Sequence, residues 1–195
     1  MVDVLQLATF IVILVIGIAW YLSYSAARLD RLHAKAEGSM SALDAALVRR
    51  AEAALELANN GALDPASALL VADAATESIE RTTEQPVTGD LLEGQHFGGR
   101  EQVENDLSEA LRAALTDEVV HDLRTGDDDL VSDALDRIAA SGLRVQLARR
   151  FHNDATREVR RVRGKRSVRL FRLWGYAELP EPVTFDDGLP PALTH

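Results

Sequence analysis

Cysteine is absent from this 195-residue chain. Disulfides, thiolate metal sites and cysteine nucleophiles are therefore excluded, although a cysteine-free domain is stable on either side of a membrane. Aromatic residues are scarce, at 5%, and runs of β-branched residues are nearly confined to one stretch near the N-terminus. With Ala and Leu abundant, the chain reads as all-α. Proline is also sparse: four of the six prolines fall after residue 179. No basic residue precedes Arg28, and residues 4–22 carry no charge at all.

That uncharged stretch, VLQLATFIVILVIGIAWYL, is bounded by Val4 and Leu22. Its nineteen residues are long enough as a helix to cross a hydrocarbon core of roughly 30 Å. The acidic n-region and the length of the run argue for a retained signal anchor over a cleaved signal peptide, although Ser23 and Ser25 are small enough for a cleavage site. Trp20, Tyr21 and Tyr24 gather at one end, as in an interfacial aromatic belt. Asp3 flanks the outer end, and Arg28, Arg31 and Lys35 flank the inner one. The positive-inside rule then puts the N-terminus outside and the following domain in the cytoplasm, as a single-pass protein of the cell membrane.

No breaker separates this segment from an apolar stripe at spacings of three and four: Leu29, Leu32, Ala36, Met40, Leu43, Leu47, Ala51, Ala54 and Ala58. Asn59-Asn60-Gly61 ends the helix, with glycine suited to a left-handed cap. Asp64-Pro65 starts a second, with Leu69, Leu70, Ala72, Ala75 and Ile79 on its apolar face. Residues 86–99 hold four glycines and read as a loop. A third helix begins near Gly99, with Val103, Leu107, Ala110, Leu111 and Ala114 on one face. Its phase shifts at Thr116-Asp117, a break or a new cap. The fourth starts at Gly126 and three aspartates, and its seam includes Val131, Leu135, Ile138, Gly142, Val145, His152, Ala155, Val159 and Val162. The expected architecture is an anchor over residues 1–25 and an antiparallel up-down four-helix bundle over 26–164. Two of its helices are long and two shorter. Residues 165–195, basic and aromatic and then proline-rich, read as an extended, docked or partly disordered tail.

Catalytic and metal constellations are weak. Glu118-x-x-His121 and Glu93-x-x-His96 have the spacing of a di-metal bundle, but the second lies in the loop and no matching buried Glu is evident. Residues 100–105 (REQVEN) resemble the acidic core of a Nudix box, yet the upstream glycine and glutamate frame is missing. They read as an exposed helix start. Gly164-Lys165-Arg166 lacks the upstream glycine of a P-loop. No catalytic, cofactor or metal residue is assigned, and the protein is not expected to be an enzyme.

Charge is uneven. Net charge is −10, yet residues 137–172 hold twelve Lys/Arg against Asp154 and Glu158, leaving −20 on the rest. Arg157, Arg160, Arg161, Arg163, Lys165, Arg166, Arg169 and Arg172 crowd the end of the fourth helix. They form either a solvated face complementing the helix dipole or a grip on anionic inner-leaflet lipid. Nucleic acid is not expected, because stacking aromatics are lacking and the remainder is acidic. An antiparallel return would bring this end beside Arg28, Arg31 and Lys35. Leu170, Phe171, Leu173 and Trp174 would then dip into the interface or cover the bundle end. In residues 146–157, Leu147 and Phe151 are read as inward and His152 as a seam residue.

Four stretches fit one family in order. Residues 148–154 (ARRFHND, including Arg149, Arg150, Asn153 and Asp154) resemble the ARRxYND segment of the LemA family. Residues 41–50 (SALDAALVRR, including Asp44, Arg49 and Arg50) are similar to its run after the anchor, and residues 104–111 (ENDLSEAL, including Asn105) to its EN-x-L-x-x-AL helix. Residues 171–176 stand at its aromatic tail. Departures are Ala53-Ala54-Leu55 in place of Pro-Asn-Leu, His152 in place of tyrosine, and no Tyr-Pro turn before the fourth helix. The resemblance implies a divergent member: a single-pass membrane protein with a long helical bundle, no established catalysis and no agreed cofactor. The expected role is a membrane-associated interaction or scaffold module with membrane or envelope protein partners. The alternatives are anionic-lipid-surface binding, envelope sensing and, last, a membrane-bound enzyme.

Overall fold

The computed structural model describes residues 2–84, 97–126 and 128–194. Most of the loop read at residues 86–99, with Glu93 and His96, lies outside them, as does Asp127. Helices are the only regular elements among the described residues. They are α1 (Val2–Asn59), α2 (Pro65–Glu84), α3 (Arg100–Ala114), α4 (Asp117–Thr125), α5 (Asp129–Arg163), the short α6 (Arg166–Leu170) and a 3₁₀ turn at Pro191–Leu193.

α1 runs unbroken for 58 residues, about 87 Å at the usual helical rise. It is the one helix among the described residues that is long and apolar enough to cross a membrane, and its most apolar window is not buried within the protein. From Leu29 onward the same helix turns inward. Every residue of the stripe from Leu29 to Ala58 is buried. The α1–α5 seam runs antiparallel. Leu29, Leu32 and Ala36 pack with Ala155, Val159 and Val162, Met40, Leu43 and Leu47 with Val145, and Ala51, Ala54 and Leu57 with Leu135 and Ile138.

Local chemistry sets the boundaries. Gly61 has φ of 78° after α1, a conformation that costs glycine little. The Asp64 carboxylate accepts from the Ala66 and Ser67 amides at 3.0 and 3.1 Å, and the Ser67 hydroxyl, together with these amides, holds its carboxyl below the usual carboxylate range. The phase shift beyond Ala114 is a true break, where Thr116 caps α4 by accepting from the Val119 amide at 3.4 Å. Asp128 caps α5 through the Leu130 amide at 2.9 Å.

Four inward assignments are reversed. Leu69 and Leu70 are exposed; α2 buries Ala75, as expected, together with Val71 and Ser78. Leu147 and Phe151 are exposed as well. Two residues past Val145 is about 200° of helical rotation, so Leu147 faces away from the seam that Val145 and His152 occupy. Phe151, one turn further along, shares that outer side.

After α6 the chain crosses back along the protein as an extended strap between α3 and α5. Val183, Phe185 and Leu193 are buried. Phe185 stacks on Phe97 with ring centroids 5.8 Å apart. At Gly142 an added Cβ would overlap Leu189, so glycine is what lets the strap lie against α5 there.

Candidate functional site

The antiparallel return of α5 brings its basic end to the base of the exposed apolar segment of α1. Glu158 lies 4.0 Å from Arg28 and 3.6 Å from Lys35. Beyond Gly164 the short α6 turns back onto α1, where the hydroxyls of Ser167 and Tyr21 are 3.1 Å apart. Val168 is buried with Leu29 and Leu32. Tyr21 belongs to the aromatic cluster at the end of the apolar run, so α6 stands level with the end of that run.

The eight basic candidates divide by what they touch. Arg160 donates to the Pro180 carbonyl at 3.2 Å. Arg163 donates to the Glu178 carbonyl at 2.6 Å and lies over the Trp174 ring, 5.1 Å from its centroid. Both therefore hold the start of the strap. Arg157 pairs with Asp154 on the exposed face of α5. Arg161, Lys165, Arg166, Arg169 and Arg172 are exposed. The neighbouring apolar residues also divide. Leu173 and Trp174 pack on the Leu29 cluster, whereas Leu170 and Phe171 face outward.

Residues of the arginine and asparagine motifs converge on internal work. The Asn153 carboxamide donates to the Val183 carbonyl at 2.9 Å and accepts the Val183 amide at 2.8 Å. Asn105 accepts the Asp186 amide at 2.6 Å. Arg149 makes a two-pronged pair with Asp187, at 2.7 and 3.0 Å. Arg112 pairs with Asp186 at 2.6 Å. The Gly188 amide and this guanidinium hold the Asp186 carboxyl below the ordinary range. Arg49, Arg150 and Asp154 remain on the surface.

Beneath them lies a buried ionic network. Glu104 is fully buried and accepts from Arg50 at 2.7 Å, Arg100 at 3.3 Å and Ser78 at 2.9 Å. Arg100 also pairs with Asp44, and Arg50 donates to Ser108 at 3.0 Å. Three helices are thus joined by one carboxylate. The reading of residues 100–105 as an exposed helix start is therefore wrong for Arg100 and Glu104. The signal was present: Arg100, Glu104, Leu107 and Leu111 share the apolar face at spacings of three and four. Charge hid it, because ions are buried only when paired, and the partners come from other helices.

His152 is the other buried titratable group. Its ring lies 3.2 Å from the Ser39 hydroxyl, 3.3 Å from that of Thr156 and 3.4 Å from the Glu181 carbonyl. Burial lowers its pKa from the ordinary histidine value. Glu118 and His121 are exposed on α4. No group of three or more His, Asp or Glu residues that could hold a metal gathers among the described residues.

These features define an all-α protein in which one long N-terminal helix carries an exposed apolar end and a packed end. No family model, no curated protein and no solved structure matches the chain.

Proposed function

We propose that this protein is a single-pass membrane protein whose anchor continues into an up-down antiparallel bundle. The bundle serves as an interaction module at the cytoplasmic face, seated on anionic headgroups by its basic end. The observation that carries this reading is the contact between Tyr21 and Ser167. It sets Lys165, Arg166, Arg169 and Arg172 level with the end of the anchor, beside the outward Leu170 and Phe171. Each such cation near an anionic surface contributes about 1 kcal/mol, screened within a Debye length. The N-terminus-out orientation rests on the placement of the first basic residues after the anchor.

The LemA-like reading is supported by position. Asp44, Arg50, Asn105, Arg149 and Asn153 all hold the bundle or its strap together. These residues support a shared architecture more than a shared partner surface. Arg49, Arg150 and Asp154, which face outward, are the motif positions open to a protein partner. The test is flotation of protein beginning at Ser23 with liposomes. It should rise with anionic vesicles in low salt and detach in high salt. Absence of binding in low salt would remove the lipid-seated reading.

A further inference from the structure

Where α1 meets the turn between α5 and α6, the surface forms a small cup of about 80 Å³. Arg28, Lys165, Ser25, Tyr21 and Tyr24 line it, over an apolar floor that includes the buried Val168. Two cations and three hydroxyl groups therefore converge where the apolar run ends. The Glu158 carboxylate lies 4.0 Å from Arg28 and is shared with Lys35 at 3.6 Å. Directly below, a second depression runs along the apolar segment past Ile18, Gly17, Leu14 and Phe10, and Tyr21 belongs to both. Gly17 has nothing within 4 Å of where a Cβ would stand, so the helix surface is open there.

We infer that the cup and the groove together bind one anionic phospholipid. Its phosphate lies between Arg28 and Lys165, and an acyl chain lies along the groove from Tyr21 to Phe10. Arg offers paired N–H donors to phosphate oxygens, Lys a point charge, and the hydroxyls complete the donors. The apolar groove suits an acyl chain and nothing polar. The site rests on the reading that α1 spans a bilayer. It differs from the diffuse attraction of Arg166, Arg169 and Arg172 in being stoichiometric.

The test is native mass spectrometry of the full chain in a nonionic detergent, titrated with phosphatidylglycerol or with phosphatidylcholine of the same acyl chains. One phosphatidylglycerol should bind per chain, at least tenfold more tightly than phosphatidylcholine. Arg28→Gln with Lys165→Gln should weaken it by about thirtyfold, taking about 1 kcal/mol for each cation. Ser25→Phe, which fills the cup and keeps both charges, should weaken it as well. Glycerol phosphate at the same concentration should not compete; full competition would make the ligand a soluble phosphate and overturn the lipid assignment. Equal binding of the two lipids, or wild-type binding by both variants, would overturn the site. The substitutions Arg166→Gln, Arg169→Gln and Arg172→Gln should abolish flotation of the protein beginning at Ser23 with anionic vesicles yet leave the single lipid on the full chain, which separates this site from the general lipid-seated reading.

Discussion

The carboxamide of Asn153 reads both main-chain groups of Val183, donating to its carbonyl at 2.9 Å and accepting its amide at 2.8 Å. A side chain on α5 thus takes the place of a neighbouring β-strand. Ser108 and Gln146 extend the pattern, donating to the carbonyls of Asp186 and Asp187 at 2.6 and 2.9 Å. An extended segment with four prolines has few internal hydrogen bonds to offer, so the helices supply them.

Asn153→Ala is expected to lower stability by about 1–3 kcal/mol, because it leaves the groups of a buried backbone segment without partners. Hydrogen exchange is the discriminating measurement. Protection should fall at the Val183 and Asp186 amides and persist in the α1–α5 seam. Equal loss in both regions would mean that the strap is part of one global unit.

Glu104→Leu should cost about 3–5 kcal/mol, since Arg50 and Arg100 would stay buried without their shared anion. Adding Arg50→Met should recover part of that loss, leaving Arg100 with Asp44. Chemical denaturation in micelles measures both. A double variant less stable than Glu104→Leu alone would contradict this account of the network.

Acidification should destabilise the protein through His152. Its folded pKa lies below the ordinary value of about 6.5 because burial opposes the charged form. Above 6.5 the ring is neutral in both states and contributes no pH dependence. As pH falls below 6.5 the unfolded chain takes a proton that the folded chain resists, so stability drops until the folded pKa is passed. The slope is at most about 1.4 kcal/mol per pH unit for one proton. His33 is half-buried, and its pKa is lowered by burial and by Arg163, so it acts in the same direction. His152→Gln should flatten the stability profile between pH 6.5 and the acid limb; an unchanged slope would exclude His152 as its source.

Gly142→Ala joins two opposing effects. Alanine favours a helix interior over glycine by about 1 kcal/mol, but the new Cβ would overlap Leu189 of the strap. In a Leu189→Ala background the substitution should stabilise; in the native background the gain should be offset by displacement of Leu189. Identical effects in both backgrounds would show that the strap does not press on α5 there.

Much of the helical frame was legible because period is a local property. The α1 stripe from Leu29 to Ala58 is buried throughout, and the break at Thr116 was visible as a change of phase. Features that depend on a distant partner were not legible. Leu147 and Phe151 look like core residues until the strap and α1 take the other sides of α5. Glu104 looks solvated until Arg50 and Ser78 arrive from other helices. The strap itself has no period, and its docking is written in side chains of α3 and α5. The eight basic residues read as one patch, yet Arg160 and Arg163 bind the strap while Arg166, Arg169 and Arg172 stay exposed.

In the proposed arrangement the α5–α6 end of the bundle rests on the membrane that α1 would span. The most direct test is the immersion depth of spin labels in full-length protein reconstituted in anionic bilayers, with one label at Arg169 and another at Asn60. The Arg169 label is expected to relax with headgroup-level reagents, while the Asn60 label, just past the far end of α1 and about 57 Å along the helix axis from Tyr21, meets only aqueous ones. Labels at equal depth, or an Arg169 label that senses only bulk water, would contradict it.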